Sequence, residues 1–289
     1  MTVLLHVSDT HFGTEQAPVV EAVVALARQL QPDLVVLSGD ITQRARPTQF
    51  RAARAFIDRM GAPWLAIPGN HDIALLDLLS RLCRPYARYR TAFGEVLEPC
   101  HESNDLLVLG VKTTRRRRHK HGEVSVEQVE RVVRRLRAAR DEQLRVVVVH
   151  HPLVVPPGPD ESNLLRGHVH ARQAWADAGA DLVLGGHIHV PFVMPVPGAA
   201  RAAWVVQAGT AVSSRVRPGM PNSVNVVRWE RGQGAGPGDV GRAAGRITVE
   251  QWDHSAASGA FEPRAIKRLV PGADLRSSLV VAPVCGLRS

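Results

Sequence analysis

The chain has 289 residues, is 45% hydrophobic and carries a formal net charge of +9. No apolar run is long enough to span a bilayer, and three widely spaced cysteines, Cys83, Cys100 and Cys285, argue against a disulfide framework. Aromatic residues make up only 4%, too few for single-strand stacking platforms, so the charge reads as the Arg and Ala bias of a GC-rich genome rather than a nucleic-acid footprint. The first apolar run, residues 3–7, is too short and too early for a signal-peptide core, which predicts a cytoplasmic protein.

In chain order, residues 3–7 read as a strand and 17–31 as a helix, with Val20, Val23, Val24, Ala27 and Leu30 at helical spacing. A strand at 34–38, a helix at 48–60 and a strand at 64–68 follow, then a helix over 73–83 with Pro85 just beyond it. A strand at 106–111 precedes a helix at 125–140, which Ser125-Val126-Glu127-Gln128 opens as a capping box. Strand 145–149, helix 162–178 and strand 181–184 complete an α/β alternation. Beyond it Val193, 204–207, 223–229 and 246–252 read as strands without long helices between them, a mostly antiparallel flank joined by hairpins. The Gly-rich stretch 232–245 reads as a hairpin loop. These elements predict a single domain over 1–270 and an irregular tail over 271–289.

Five polar clusters each follow an apolar run. They are Asp9-Thr10-His11, Gly39-Asp40, Gly69-Asn70-His71-Asp72, His150-His151-Pro152 and Gly186-His187-Ile188-His189. Short runs rich in β-branched residues and ended by Gly or Pro read as buried parallel strands, and open α/β sheets bind ligands beyond the carboxyl ends of such strands. Carboxylates with imidazoles suit transition metals, and this number of ligands suits two ions. Each cluster by itself has a plainer explanation as a turn or a loop cap. The five together, in this order, resemble the calcineurin-like metallophosphoesterase superfamily over about two-thirds of the chain. The Ser-Asp-Thr-His opening and the His-His-Pro resemble its bacterial class III cyclic-nucleotide phosphodiesterases and their glycerophosphodiesterase relatives.

The resemblance implies a four-layer α/β/β/α sandwich with the dimetal site at the C-terminal ends of the strands. It implies Asp9, His11 and His189 on one metal, and Asn70, His150 and His187 on the other. Asp40 stands alone at its strand end and is the natural bridge. Asn70 ligates without adding negative charge. His71 carries no assigned metal, and by resemblance it contacts the phosphate and protonates or stabilises the leaving alkoxide. Asp72 either holds the His71 ring or is a helix N-terminal carboxylate favoured by the dipole. His151 either orients substrate or packs behind the ligands. Gly167-His168-Val169-His170 repeats the Gly-His-x-His spelling, but it lies in an expected helix, where residues two apart face away from each other. The run Arg115-Arg116-Arg117-Arg118-His119-Lys120-His121 reads as a solvated loop, with a lid or a guide for anionic substrates as its functional alternative.

The resulting expectation is a binuclear metal-dependent phosphodiesterase that cleaves a cyclic nucleotide such as 3′,5′-cAMP, or a glycerophosphodiester, by attack of a metal-bridging hydroxide. The alternatives are a phosphomonoesterase or pyrophosphate-cleaving hydrolase, then a nuclease, then an inactive scaffold. Iron, manganese, zinc and cobalt all accept this ligand mix. The expected partner is a small phosphodiester, with no membrane or nucleic acid. A homodimer through the flanking strands or the tail is suggested by analogy alone.

Overall fold

The computed structural model describes residues 1–74, 77–118, 120–199, 201–232 and 245–271. The tail from residue 272, with Cys285, most of the Gly-rich loop 232–245, two residues of the expected helix 73–83 and His119 of the basic run lie outside the described residues.

The chain begins with β1 (Thr2–Val7), α1 (Ala17–Leu30), β2 (Leu34–Leu37), α2 (Pro47–Asp58) and β3 (Trp64–Ala66). It continues with α3 (Leu78–Cys83), α4 (Ala87–Phe93), β4 (Cys100–Glu102), β5 (Leu106–Gly110), α5 (Val126–Arg137) and β6 (Leu144–Val148). Next come α6 (His168–Asp177), β7 (Leu182–Gly185), β8 (Phe192–Pro195) and β9 (Trp204–Gln207). Three long strands close the fold: β10 (Ser223–Glu230), β11 (Arg246–Ser255) and β12 (Ala260–Leu269). They make two six-stranded sheets, ordered β12-β11-β10-β1-β2-β3 and β4-β5-β6-β7-β9-β8.

Strand alternation builds the layers. Val3, Leu5, Val7, Val35 and Leu37 pack with Val20, Val23 and Ala27 of α1, with Phe50, Phe56 and Ile57 of α2, and with Tyr89 and Phe93 of α4. Their neighbours Leu4, Leu34 and Val36 face the second sheet instead, against Leu106, Val108, Val146, Leu182 and Val206. On the far side Leu107, Val147 and Val183 meet Val129, Val132 and Leu136 of α5 and Trp175 of α6. The result is helices, sheet, sheet, helices. Each large apolar side chain removed from water stabilises by about 1.5–3 kcal/mol. A one-residue slip would turn each strand's apolar residues over to the opposite face, so the register is strongly specified. Among the described residues no helix is long and apolar enough to cross a membrane.

The capping box holds: Ser125 Oγ accepts from the Gln128 amide, while Gln128 Oε1 accepts from the Ser125 amide at 3.0 Å. Other local expectations are revised. The stretch after Gly69 opens as a 3₁₀ turn over Asn70–Asp72 before α3, and α4 follows Pro85 as a separate helix. The helix expected from 162 starts only at His168, because Gly167 adopts φ 87° and breaks the run behind the turn Pro159–Asn163. The late strands do not form one flank. β9 joins the second sheet parallel to β7, whereas β10 joins the first antiparallel to β1. Strand period is local, but sheet membership is a long-range choice.

Candidate metal centre

β1, β2 and β3 run parallel, as do β5, β6, β7 and β9. The residues following β1, β2 and β3 therefore leave one rim of their sheet together, and those following β6 and β7 leave one rim of the other. Among the described residues, five of the seven non-glycine residues with positive φ are Asp9 (52°), His11 (41°), Asp40 (46°), His187 (75°) and His189 (58°). Such backbone is uncommon outside glycine and persists where surrounding structure enforces it, often at functional sites. Here hydrogen bonds enforce it. The Asp9 amide donates to the Gly39 carbonyl at 3.1 Å, and the His11 amide donates to the Asp40 carbonyl at 2.9 Å. The His187 amide donates to both Asp9 carboxylate oxygens, at 3.1 and 3.0 Å.

Two donor groups result. Asp9 Oδ1 lies 3.2 Å from His189 Nε2, which lies 3.2 Å from His11 Nε2. His150 Nε2 lies 3.2 Å from both Asn70 Oδ1 and Asp40 Oδ1. Asp40 joins them, since its other oxygen, Oδ2, is 3.8 Å from His11 Nε2. His187 Nδ1 is buried without a hydrogen-bond partner. It belongs to a cluster with His150 and His151 whose nitrogens lie within 4.8 Å of one another. The structure thus brings Asp9, His11, Asp40, Asn70, His150, His187 and His189 to one place, although they come from both sheets. The decoy pair lies on α6, where His170 is exposed and His168 Nδ1 donates to the Leu165 carbonyl.

Backbone carbonyls set the tautomers, because a carbonyl only accepts. His150 Nδ1–H donates to the Ser38 carbonyl at 2.9 Å, and His189 Nδ1–H donates to that of Arg215 at 2.6 Å. Both Nε2 atoms are left facing the cluster, as metal-bound imidazoles require. Ser8 Oγ donates to Asp9 Oδ2 at 2.7 Å, leaving Oδ1 to face the rings. Burial pushes the Asp9 and Asp40 carboxyls up, but neighbouring histidines outweigh it and hold both below the ordinary range. Burial likewise opposes charge on His150, yet Asp40 brings it up to about 9. His11 and His187 are pushed down to about 3, chiefly by burial. Ionised carboxylates among buried imidazoles are the donor chemistry of transition metals, and the overlapping groups suit a binuclear site. Bound cations would replace the protons that Asp9 and Asp40 otherwise attract to His189 and His150.

Asp72 and His151 have settled contacts. Asp72 is buried, and its carboxylate accepts from the amides of Gly69, Ile41 and Thr42 at 2.8–3.1 Å and from Thr42 Oγ1 at 2.8 Å. It ties the Asp40 turn to the Asn70 turn, while the His71 ring donates from Nδ1 to the Gln43 carbonyl at 2.9 Å. Burial and the Asp40 charge push Asp72 up to about 6. His151 is buried, donates from Nε2 to the Lys120 carbonyl at 3.1 Å and accepts at Nδ1 from Thr113 Oγ1 at 2.8 Å. Both its nitrogens are engaged by protein.

The two turns touch at Gly69, where an added Cβ would collide with the Asp40 backbone amide and carboxylate. Backbone cannot swing aside as a side chain does. Gly69→Ala is expected to destabilise by about 1–3 kcal/mol, as overpacking does, and to lower metal content. Urea unfolding and elemental analysis check this, and a variant with wild-type stability and metal content would contradict the close approach.

A cavity of 340 Å³ opens over the cluster, lined by Asp40, Asn70, His71, His187 and His189 together with Lys120, Asn163, Arg215 and Arg217. Arg215 Nη1 lies 3.3 Å from His71 Nε2 and donates to Gln43 Oε1 at 2.9 Å. Arg217 donates to the Ile188 carbonyl at 2.8 Å and pairs with Asp160. Sequence reasoning missed both arginines and Asn163, since Ser214-Arg215-Val216-Arg217-Pro218 follows no strand and carries no ligand spacing.

A two-sheet sandwich with a binuclear donor set at its strand ends defines a metal-dependent hydrolase. The calcineurin-like phosphoesterase pattern matches residues 2–191, and the chain belongs to that family. Over 192 residues it is 26% identical to a probable cyclic nucleotide phosphodiesterase of Synechococcus sp., a match covering 63% of this chain and 67% of that one. Over 95 residues it is 37% identical to a glycerophosphodiester phosphodiesterase of Enterobacter lignolyticus, covering 28% of this chain and 34% of that one. A dimetal phosphatase of Danio rerio shares the fold with a TM-score of 0.64 at 11% identity, over 94% of this chain and 98% of that one. A purple acid phosphatase from yellow lupin does so with a TM-score of 0.68 at 12% identity, over all of this chain and 57% of that one. The matches therefore span only part of the glycerophosphodiesterase and of the lupin enzyme.

Proposed function

We propose that this protein is a binuclear phosphodiesterase that hydrolyses small diesters, a cyclic nucleotide or a glycerophosphodiester. One observation carries the reading: Asp40 points one carboxylate oxygen at each donor group, beneath a cavity whose rim is cationic. Asp9, His11 and His189 would hold one ion, Asn70, His150 and His187 the other, and Asp40 both. When bound, such ions neutralise charge on the phosphoryl oxygens and acidify water to a near-neutral pKa.

The chain's own residues do the rest. Lys120, Arg215 and Arg217 draw an anionic ester into the cavity and orient it. His71 donates from Nδ1–H to the Gln43 carbonyl, so its Nε2 is the atom left to meet the leaving oxygen. Arg215 beside it stabilises charge developing there. Asp72 acts through the backbone, keeping Asp40 and Asn70 in mutual position rather than steering the His71 ring. The two phosphodiesterase relatives support a diester over a monoester.

The test is hydrolysis of bis(p-nitrophenyl) phosphate beside p-nitrophenyl phosphate, after metal stripping and Mn²⁺ reloading, with Asn70→Ala as control. Metal-dependent activity that favours the diester and is lost in the control is the expected result. Preference for the monoester would make the protein a phosphatase, and inactivity despite two bound ions would overturn the enzymatic reading.

A further inference from the structure

A second cavity, of 510 Å³, is lined by Arg115, Arg116, Arg117, Arg118 and Glu123. Four arginines and one glutamate line it, so the space is cationic. None of these residues lines the cavity over the metal centre. The solvated-loop reading of this run does not account for how firmly it is held. Arg115 donates to Gln128 Oε1 at 2.7 Å, and Arg118 Nε donates to Glu123 at 3.1 Å. The Arg118 carbonyl accepts from the buried Arg81 at 3.1 Å, and Arg116 donates to the Leu82 carbonyl at 3.0 Å. At its far end the Lys120 carbonyl accepts from His151, adjacent to His150, and an added Cβ at Gly122 would collide with the His151 ring.

The two cavities are contiguous along the chain. Lys120 lines the metal-side cavity and Arg118 the other, two residues away, so their Cα atoms are at most about 7.6 Å apart. Glu123 takes up Arg115 and Arg118. Among the described residues Arg116 and Arg117 make no ion pair, and both are exposed. Two cations without a counterion, three and four residues along the chain from Lys120 of the metal-side cavity, carry planar guanidinium forks suited to phosphate oxygens.

We propose that the arginine cavity is a distal-anion subsite that takes a second phosphate group carried by the substrate, a short distance from the diester being cleaved. This deepens the phosphodiesterase reading and rests on it for catalysis, but not for binding. The substrate class it selects is a small phosphodiester with an additional phosphomonoester, as in a phosphorylated dinucleotide. A diester with a single negative charge leaves the cavity empty.

The experiment compares thymidylyl-thymidine with its 5′-phosphorylated form on the Mn²⁺-loaded protein and on the Arg116→Ala/Arg117→Ala variant, whose exposed side chains leave the core untouched. Wild-type KM is expected to be about tenfold lower for the phosphorylated dinucleotide, a gap that added salt narrows. The variant should lose that preference while its kcat/KM for the unphosphorylated dinucleotide and for bis(p-nitrophenyl) phosphate stays within about twofold. Equal KM values in the wild type, or a preference that survives in the variant, would overturn the subsite. So would an equal loss on both dinucleotides. Calorimetric binding of the same two dinucleotides to metal-stripped protein separates the subsite from the chemistry. A binding preference without turnover of any diester leaves the subsite standing and removes the phosphodiesterase. Turnover of diesters without the preference does the reverse.

Discussion

Asp40→Ala is expected to release both metals and to abolish turnover, a loss well beyond the roughly 10–100-fold that changes behind metal ligands produce. The reason is that one side chain serves three partners. Asp40 Oδ1 lies 3.2 Å from His150 Nε2 and accepts from the His71 amide at 2.8 Å, while Oδ2 lies 3.8 Å from His11 Nε2. Its removal takes a charged donor from both groups at once and unties the turn that carries His71. Asp40→Asn separates the two effects. An amide oxygen still accepts from the His71 backbone, but the charge shared between the groups is gone, so the turn should stay formed while metal content falls. Elemental analysis beside kcat on a phosphodiester checks both variants, with circular dichroism to establish folding. Two bound ions and wild-type turnover in Asp40→Ala would remove Asp40 from the centre.

His71→Ala is expected to keep both metals and to lower kcat by about 10²–10⁴-fold, the usual span for losing a general acid. The loss should depend on the leaving group. An alkoxide needs a proton or a hydrogen bond as it departs, whereas p-nitrophenolate departs with little help. The variant should therefore be hurt far more on a glycerol or ribose diester than on bis(p-nitrophenyl) phosphate. His71 Nδ1–H donates to the Gln43 carbonyl and its Nε2 sits 3.3 Å from Arg215, although one ring nitrogen also lies within 4.8 Å of an Asp40 oxygen and a His11 nitrogen. Loss of metal in the variant would make His71 a ligand. An equal loss on every leaving group would make it a positioning residue alone.

Much of this centre is legible without coordinates because its code is local. Each ligand cluster follows an apolar run that the structure makes a strand, as with Leu34–Leu37 before Asp40 and Leu182–Gly185 before His187. Helix against turn can also be read locally, which is why His168 and His170 separate from His187 and His189. The contacts of Asp72 were not legible. Its spacing from His71 allowed a ring contact, but a buried carboxylate with three converging backbone amides in reach is taken up by them. Nor could α4 be read, since its apolar residues Tyr89 and Phe93 lie just beyond Pro85, the expected stop of the helix over 73–83.

By itself the sequence determined the kinds of donor atoms, their order along the chain and the strands that deliver them, because residue chemistry and short apolar periods need no partner to be recognised. Only the tertiary structure decided which donors share a group, how Asp40 divides its oxygens, which sheet each late strand joins, and which cations stand over the site. Arg215 meets His71 across 144 residues, and His187 meets Asp9 across 178. Contacts at that separation are created by the packing of two sheets face to face, and no local pattern in the chain encodes them.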